Sequence, residues 1–215
     1  MILHQTWYTQ DDSQYQENID SWALYMPEYD RKVYVNDEIE ATIKRLVPWH
    51  YETVSKFNFL IEKIDFLRYA LLWVYGGLYL DMDMKCLHRV ELEPGVNIGV
   101  QTSFDRNIVS NEFMSASEPQ LDVWTDIMNY IVHNYSHKKY IPYNTGGDCL
   151  SAFFKLNRSK YTNITFLQPT FYDHTADGTW RREHDYTKYL KLCNLCKHTV
   201  YDCYCFPEGW YNANK

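Results

Sequence analysis

The sequence is poor in the residues that interrupt a chain. It has 8 glycines and 7 prolines in 215 residues, with no run that reads as a linker, no internal repeat and no low-complexity stretch. That excludes repeat arrays and favours a single domain, long enough to bury a proper core. Basic residues are also in deficit: 21 lysines and arginines face 28 aspartates and glutamates, a formal charge of −7. They form no basic stripe, which argues against a nucleic-acid partner. No stretch approaches the about 20 apolar residues of a membrane span. The opening Met1-Ile2-Leu3-His4-Gln5-Thr6-Trp7 lacks the basic and apolar regions of a signal peptide, so a cytoplasmic protein is expected.

Without a secretion signal, the six cysteines are expected as reduced thiols. Cys86 and Cys149 stand alone. Cys193-x2-Cys196-x6-Cys203-x-Cys205 has a spacing compatible with structural zinc or with ordinary free thiols. Aromatic residues, by contrast, are abundant at 17%, with 20 tyrosines and 7 tryptophans. Such side chains fill cores, and they also line sugar or base sites, having apolar faces and a polar handle.

Periodicity predicts alternating strands and helices. Residues 2–7, 32–35, 78–80, 96–101 and 164–167 read as strands. Residues 14–26 read as a helix stopped by Pro27, 38–46 as a helix capped by Asp37, and 121–133 and 147–155 as two later helices. The longest helical pattern runs from Phe59 to Tyr75, with Leu60, Ile64, Leu67, Leu71 and Val74 on one stripe, and Gly76-Gly77 ends it. Strand–helix alternation predicts an α/β fold with a single, mostly parallel central sheet flanked by helices. In such sheets ligands bind beyond the carboxyl ends of the strands.

Leu78-Tyr79-Leu80 runs straight into Asp81-Met82-Asp83 at such an end. If the strand continues, Asp81 and Asp83 share a face and Met82 points away. Two carboxylates suit a hard divalent cation and leave positions open for phosphate oxygens and water. A bare Asp-x-Asp is common in polar loops; here the preceding helix, glycine pair and apolar strand give it a context. Asp65, Arg68 and Tyr69 share a face of that helix. Asp65 and Arg68 read either as a surface ion pair of little energy or as a grip on sugar hydroxyls and phosphate.

Asp65-x2-Arg68-Tyr69 followed by Tyr75-Gly76-Gly77-x-Tyr79-x-Asp81-x-Asp83 resembles the signature of the DXD sugar-binding glycosyltransferases. These are family 32 of the sequence classification, with yeast Golgi mannosyltransferases, bacterial capsule enzymes and members from large DNA viruses; large clostridial toxins carry a similar run. Ile2-x-His4-Gln5-Thr6-Trp7, Ser21-Trp22 with Pro27, Asn111 with Phe113 and Ala116, and Asn144-Thr145-Gly146 extend the resemblance over residues 2–150. It implies a GT-A fold over residues 1–215, with 1–110 the nucleotide-sugar half and 111–215 the acceptor side and tail. It implies a retaining hexosyl transfer from a nucleotide diphosphate sugar, with Mn²⁺ or Mg²⁺, to a glycan or glycoprotein hydroxyl. UDP-glucose and UDP-galactose are the first donors to test and GDP-mannose the alternative. The setting would be a bacterial cytoplasm or a virus-infected host cell.

The resemblance also implies residue roles. Nucleotide-sugar contacts fall on His4, Gln5, Thr6 and Trp7, on Asp65, Arg68 and Tyr69, on Gly77, Leu80, Asp81, Met82 and Asp83, and on Asn111 and Gly146. Asp65, Arg68, Asp81 and Asp83 form the catalytic group, and Asp81, Asp83 and His174 the metal set. His174-x5-Trp180, with Gly178 and Thr179 near the phosphates, resembles the tail that supplies a third ligand in related enzymes; His184, His198 and Trp210 are the alternatives. Asn144, Gly146 and Asp148 are candidates to face acceptor or donor sugar, and Gly146-Gly147 also reads as a plain helix-start turn. Three other readings compete: a metal-dependent nucleotidyl or phosphoryl transferase, a binding module for nucleotide sugars or glycans without catalysis, and a zinc-bound interaction element in the cysteine tail.

Overall fold

A computed structural model of the chain describes residues 1–103, 106–137 and 141–175. The cysteine tail, Gly178, Thr179, Trp180, His184, His198 and Trp210 lie outside these residues. The strands are β1 (Ile2–Trp7), β2 (Asp30–Val35), β3 (Gly77–Leu80), β4 (Met84–Cys86), β5 (Val96–Ser103), β6 (Arg106–Ala116), β7 (Ile164–Leu167) and β8 (Tyr172–His174). The helices are α1 (Gln16–Tyr25), α2 (Ile39–Leu46), α3 (Pro48–Val54), α4 (Leu60–Tyr75), α5 (Asp122–Asn134), α6 (Ile141–Asn144) and α7 (Gly147–Asn157).

Six strands form one sheet in the order β2-β1-β3-β6-β5-β7. β1 is parallel to β2 and β3, and β5 to β7, while β6 runs antiparallel between β3 and β5. The expected mostly parallel sheet is present. The eleven-residue β6 is an addition to the sequence reading, as are α3, α6, β4 and β8. The division at residues 110 and 111 falls inside β6. Asp37 sits within a short 3-10 turn (Asn36–Glu38) rather than capping α2.

The alternation of β3 builds both layers. Leu78 and Leu80 enter a core with Leu3, Trp22, Met26 and Phe113, whereas Tyr79 faces the opposite core, which contains Phe66, Leu67, Leu71, Trp124 and Leu150. α4 crosses the second core and is buried on nearly all sides from Asp65 to Leu72. At its start the Phe59 amide donates to the Glu62 carboxylate at 3.2 Å. Its end needs glycine. Gly76 has φ +64° and Gly77 φ +89°, and a Cβ on Gly77 would lie 2.2 Å from the Ile2 carbonyl oxygen. That closeness lets β3 pair with β1 immediately after the helix stops. Among the described residues no helix is long and apolar enough to cross a membrane.

Candidate active site

A cleft of about 270 Å³ opens beyond the carboxyl ends of β1 and β3. Thr6, Trp7, Asp65, Arg68, Asp81, Met82, Asp83, Asn111, Gly146 and His174 all line it. Trp7 stands in an aromatic corner, edge-on to Tyr15 at 4.9 Å and to Tyr8 at 4.7 Å between ring centroids. Its indole N–H donates to the Asp11 carbonyl, which fixes the ring.

Asp65 and Arg68 are not a surface pair; both are buried. The Asp65 carboxylate accepts from Asn111 Nδ2 and Thr145 Oγ1, each at 2.8 Å. Arg68 Nη1 donates to the Asn111 carbonyl at 2.9 Å and Nη2 meets Asp81 at 3.0 Å, with the guanidinium 4.8 Å above the Tyr79 ring. Arg68 Nε lies 3.7 Å from Asp65 and makes no hydrogen bond. It is a buried donor without a hydrogen-bond partner. Burial raises the Asp65 pKa against the pull of Arg68, Thr145 and Asn111.

Asp81 and Asp83 reach the cleft differently from the strand-face expectation. β3 ends at Leu80, and Asp81–Asp83 form a turn into β4. Asp81 accepts from the Tyr79 hydroxyl at 2.9 Å as well as from Arg68, and Tyr79 is linked in turn to Thr6 Oγ1 at 3.0 Å. Met82 does not face away; it lines the cleft beside Asp81. Asp83 meets His174 Nε2 at 3.1 Å. β8 delivers that histidine by pairing antiparallel with β4, Met84 opposite His174.

Glu112 is the residue the sequence reading missed. It lines the cleft, is buried, and meets His174 Nδ1 at 3.2 Å. Its signal was its place directly after Asn111, which counts only once β6 is seen as a strand beside β3. Burial pushes the Asp81 carboxyl up to about 6; Arg68 and His174 oppose this, and Asp83 and Glu112 add to it. Burial alone would lower the His174 pKa, but the carboxylates of Asp83 and Glu112 on its two nitrogens carry it up to about 11.

Five expected contact residues sit behind the cleft wall. His4 is fully buried, with ring nitrogens engaged by the Tyr34 hydroxyl and the Gly76 carbonyl. Gln5 accepts from Arg31 at 2.5 Å. Tyr69 donates to the Thr145 carbonyl at 2.8 Å, Gly77 packs on Ile2, and Leu80 is core. None of the five is among the residues that line the cleft. Asn144 is likewise structural, bonded to Glu62 and to the Ser136 carbonyl.

A mostly parallel α/β sheet whose third strand delivers an acidic turn beneath a buried Asp–Arg pair is the layout of the GT-A glycosyltransferase fold. The family comparison agrees with it: residues 12–105 match the model of the glycosyltransferase sugar-binding region containing the DXD motif. The chain is 28% identical over 186 residues to mannosyl phosphorylinositol ceramide synthase CSH1 of Saccharomyces cerevisiae, covering 80% of this chain and 48% of that protein. It is 27% identical over 214 residues to the uncharacterized glycosyltransferase L373 of Acanthamoeba polyphaga mimivirus, covering 94% and 79%. The chain thus spans about half the length of the yeast relative. The solved PaToxG glycosyltransferase shares the fold, with a TM-score of 0.53 and 13% identity over 88% of this chain and 74% of that one.

Proposed function

We propose that the chain moves a hexosyl unit from a nucleotide diphosphate sugar to a hydroxyl of a glycan, glycoprotein or glycolipid, with retention of configuration. One observation carries this reading. Four carboxylates, Asp65, Asp81, Asp83 and Glu112, line a cleft that also holds Arg68 and an aromatic corner around Trp7. So many acids repel a diphosphate unless a cation intervenes.

The donor set suits such a cation. Asp81 and Asp83 offer hard oxygens that Mn²⁺ or Mg²⁺ accepts, and the imidazole nitrogen of His174 Nε2 favours Mn²⁺ of the two. Among the described residues no three acidic, histidine or cysteine side chains already converge on one point. His174 and Asp83 neutralise each other, and Asp81 is held by Arg68 and Tyr79. Ligation by His174 requires loss of its proton. When bound, the ion would neutralise the charge that develops on the departing diphosphate.

The chain's own residues supply the rest. Trp7, with Tyr8 and Tyr15, offers an aromatic surface to the base. Asp65 has one protein bond on each oxygen and so retains lone pairs for sugar hydroxyls. Arg68, which lines the cleft, brings a positive charge toward the sugar and phosphates. With both oxygens engaged, Asp65 is suited to binding rather than to attack at the anomeric carbon, which favours front-face transfer over a covalent intermediate.

The test is a thermal-shift panel of UDP-glucose, UDP-galactose and GDP-mannose with and without Mn²⁺, followed by assay of released nucleotide. A donor at a hundred times its Kd should stabilise the protein by about 2.7 kcal/mol. The names of the yeast relatives make GDP-mannose a full arm of the panel. Donor hydrolysis without acceptor separates an enzyme from a binding module. Asp81→Ala and Asp83→Ala should each lower turnover by about 10²–10³-fold. No shift with any donor, or full turnover in either variant, overturns the reading.

A further inference from the structure

A carboxylate is costly to bury, and that of Glu112 is buried in the cleft wall. Its two oxygens are divided. Oε1 accepts from the Tyr172 hydroxyl at 3.0 Å, and Oε2 meets His174 Nδ1 at 3.2 Å. Tyr172 and His174 are alternate residues of β8. Tyr172 is clamped in turn, stacked on Phe113 at 6.1 Å and edge-on to Phe171 at 4.9 Å. The carboxylate therefore has a rigid support behind it and a histidine ring in front.

We propose that Glu112, braced by Tyr172, is the positioning residue that orients His174 toward a divalent cation held by the Asp81–Asp83 turn. The inference rests on His174 being a ligand of that cation. Once His174 gives up a proton to bind the cation, the Glu112 carboxylate keeps the remaining one on Nδ1 and leaves the Nε2 lone pair for the ion. Nε2 is the nitrogen that faces Asp83, at 3.1 Å. The two strands that meet in this arrangement are far apart in sequence, β6 supplying the acid and β8 the imidazole.

The test uses the full chain and Mn²⁺ alone, with free ion followed by electron paramagnetic resonance at fixed pH. Glu112→Ala should weaken Mn²⁺ binding about 10- to 100-fold. Glu112→Gln should recover most of that loss, because its amide oxygen accepts the same N–H. Tyr172→Phe should show a smaller loss, and His174→Ala a loss at least as large as Glu112→Ala. Wild-type binding in Glu112→Ala alongside weakened His174→Ala overturns the positioning role and leaves the ligand reading standing. Wild-type binding in His174→Ala overturns the ligand reading itself and the positioning role with it. Glu112→Gln binding as poorly as Glu112→Ala overturns orientation, since Glu112 would then act through its charge as a ligand. Should Glu112→Ala fail to fold by circular dichroism, Glu112→Gln and Tyr172→Phe decide: wild-type affinity in Tyr172→Phe with strong loss in Glu112→Gln overturns the proposal.

Discussion

Asp81 and Asp83 are two residues apart and have opposite attachments. Asp81 is tied backward into the protein, to Arg68 of α4, to Tyr79 of β3 and, through Tyr79, to Thr6 of β1. Asp83 is tied forward, to His174 on a three-residue strand. One carboxylate belongs to the frame of the domain, and the other belongs to a small two-stranded lip over the cleft. A motif written as a pair of equivalent acids therefore contains one residue bonded into the frame and one bonded to the lip.

The sharpest way to break this contrast is by stability. Asp81→Ala leaves the Arg68 guanidinium buried without its main partner and should cost about 3–5 kcal/mol in urea unfolding. Asp83→Ala leaves His174 its second carboxylate, Glu112, and should cost less, about 1.5–3 kcal/mol. Equal losses in the two variants would erase the distinction between frame and lip.

Acid should act on the frame next. His4 bonds the Gly76 carbonyl, the turn that launches β3 toward Asp81, and burial lowers its pKa from 6.5 to about 4 despite that bond. Below pH 6.5 the unfolded chain binds a proton that the folded chain refuses until about pH 4. Stability is therefore full above pH 6.5 and falls through that window, by up to about 3 kcal/mol. Titration of the His4 ring by NMR checks it, and an ordinary value near 6.5 would show the ring is not sealed in. The smallest effect sharpens the link between the strands. Tyr79→Phe deletes the hydroxyl joining Thr6 to Asp81 and should cost about 1 kcal/mol, with a lower urea midpoint and no change in far-ultraviolet dichroism.

Much of this was legible from residue order because the signals are local. The stripe of α4, the glycine pair behind it and the apolar β3 each follow from spacing within a few residues, and so does the placement of an acidic pair at a strand end. The errors share a cause. His4, Tyr69 and Leu80 sit in the same motifs as the cleft residues, and a motif does not say which way a side chain faces. β6 escaped notice because Arg106 to Ala116 mixes polar and apolar residues without clean alternation. Its character comes from lying between β3 and β5, buried on both faces.

By itself the sequence determined the alternating α/β plan, the positions of Asp65, Arg68, Asp81 and Asp83 on that plan, and a concentration of acids at a strand end, since all of these follow from short-range pattern and charge. Tertiary structure alone decided which residues face the cleft and which hold its wall. It also decided that Asp81 and Asp83 diverge in a turn instead of sharing a strand face, and that Glu112 and His174 meet across 62 residues of chain. Such meetings are set by strand pairing between distant segments, a long-range choice that no local spacing encodes.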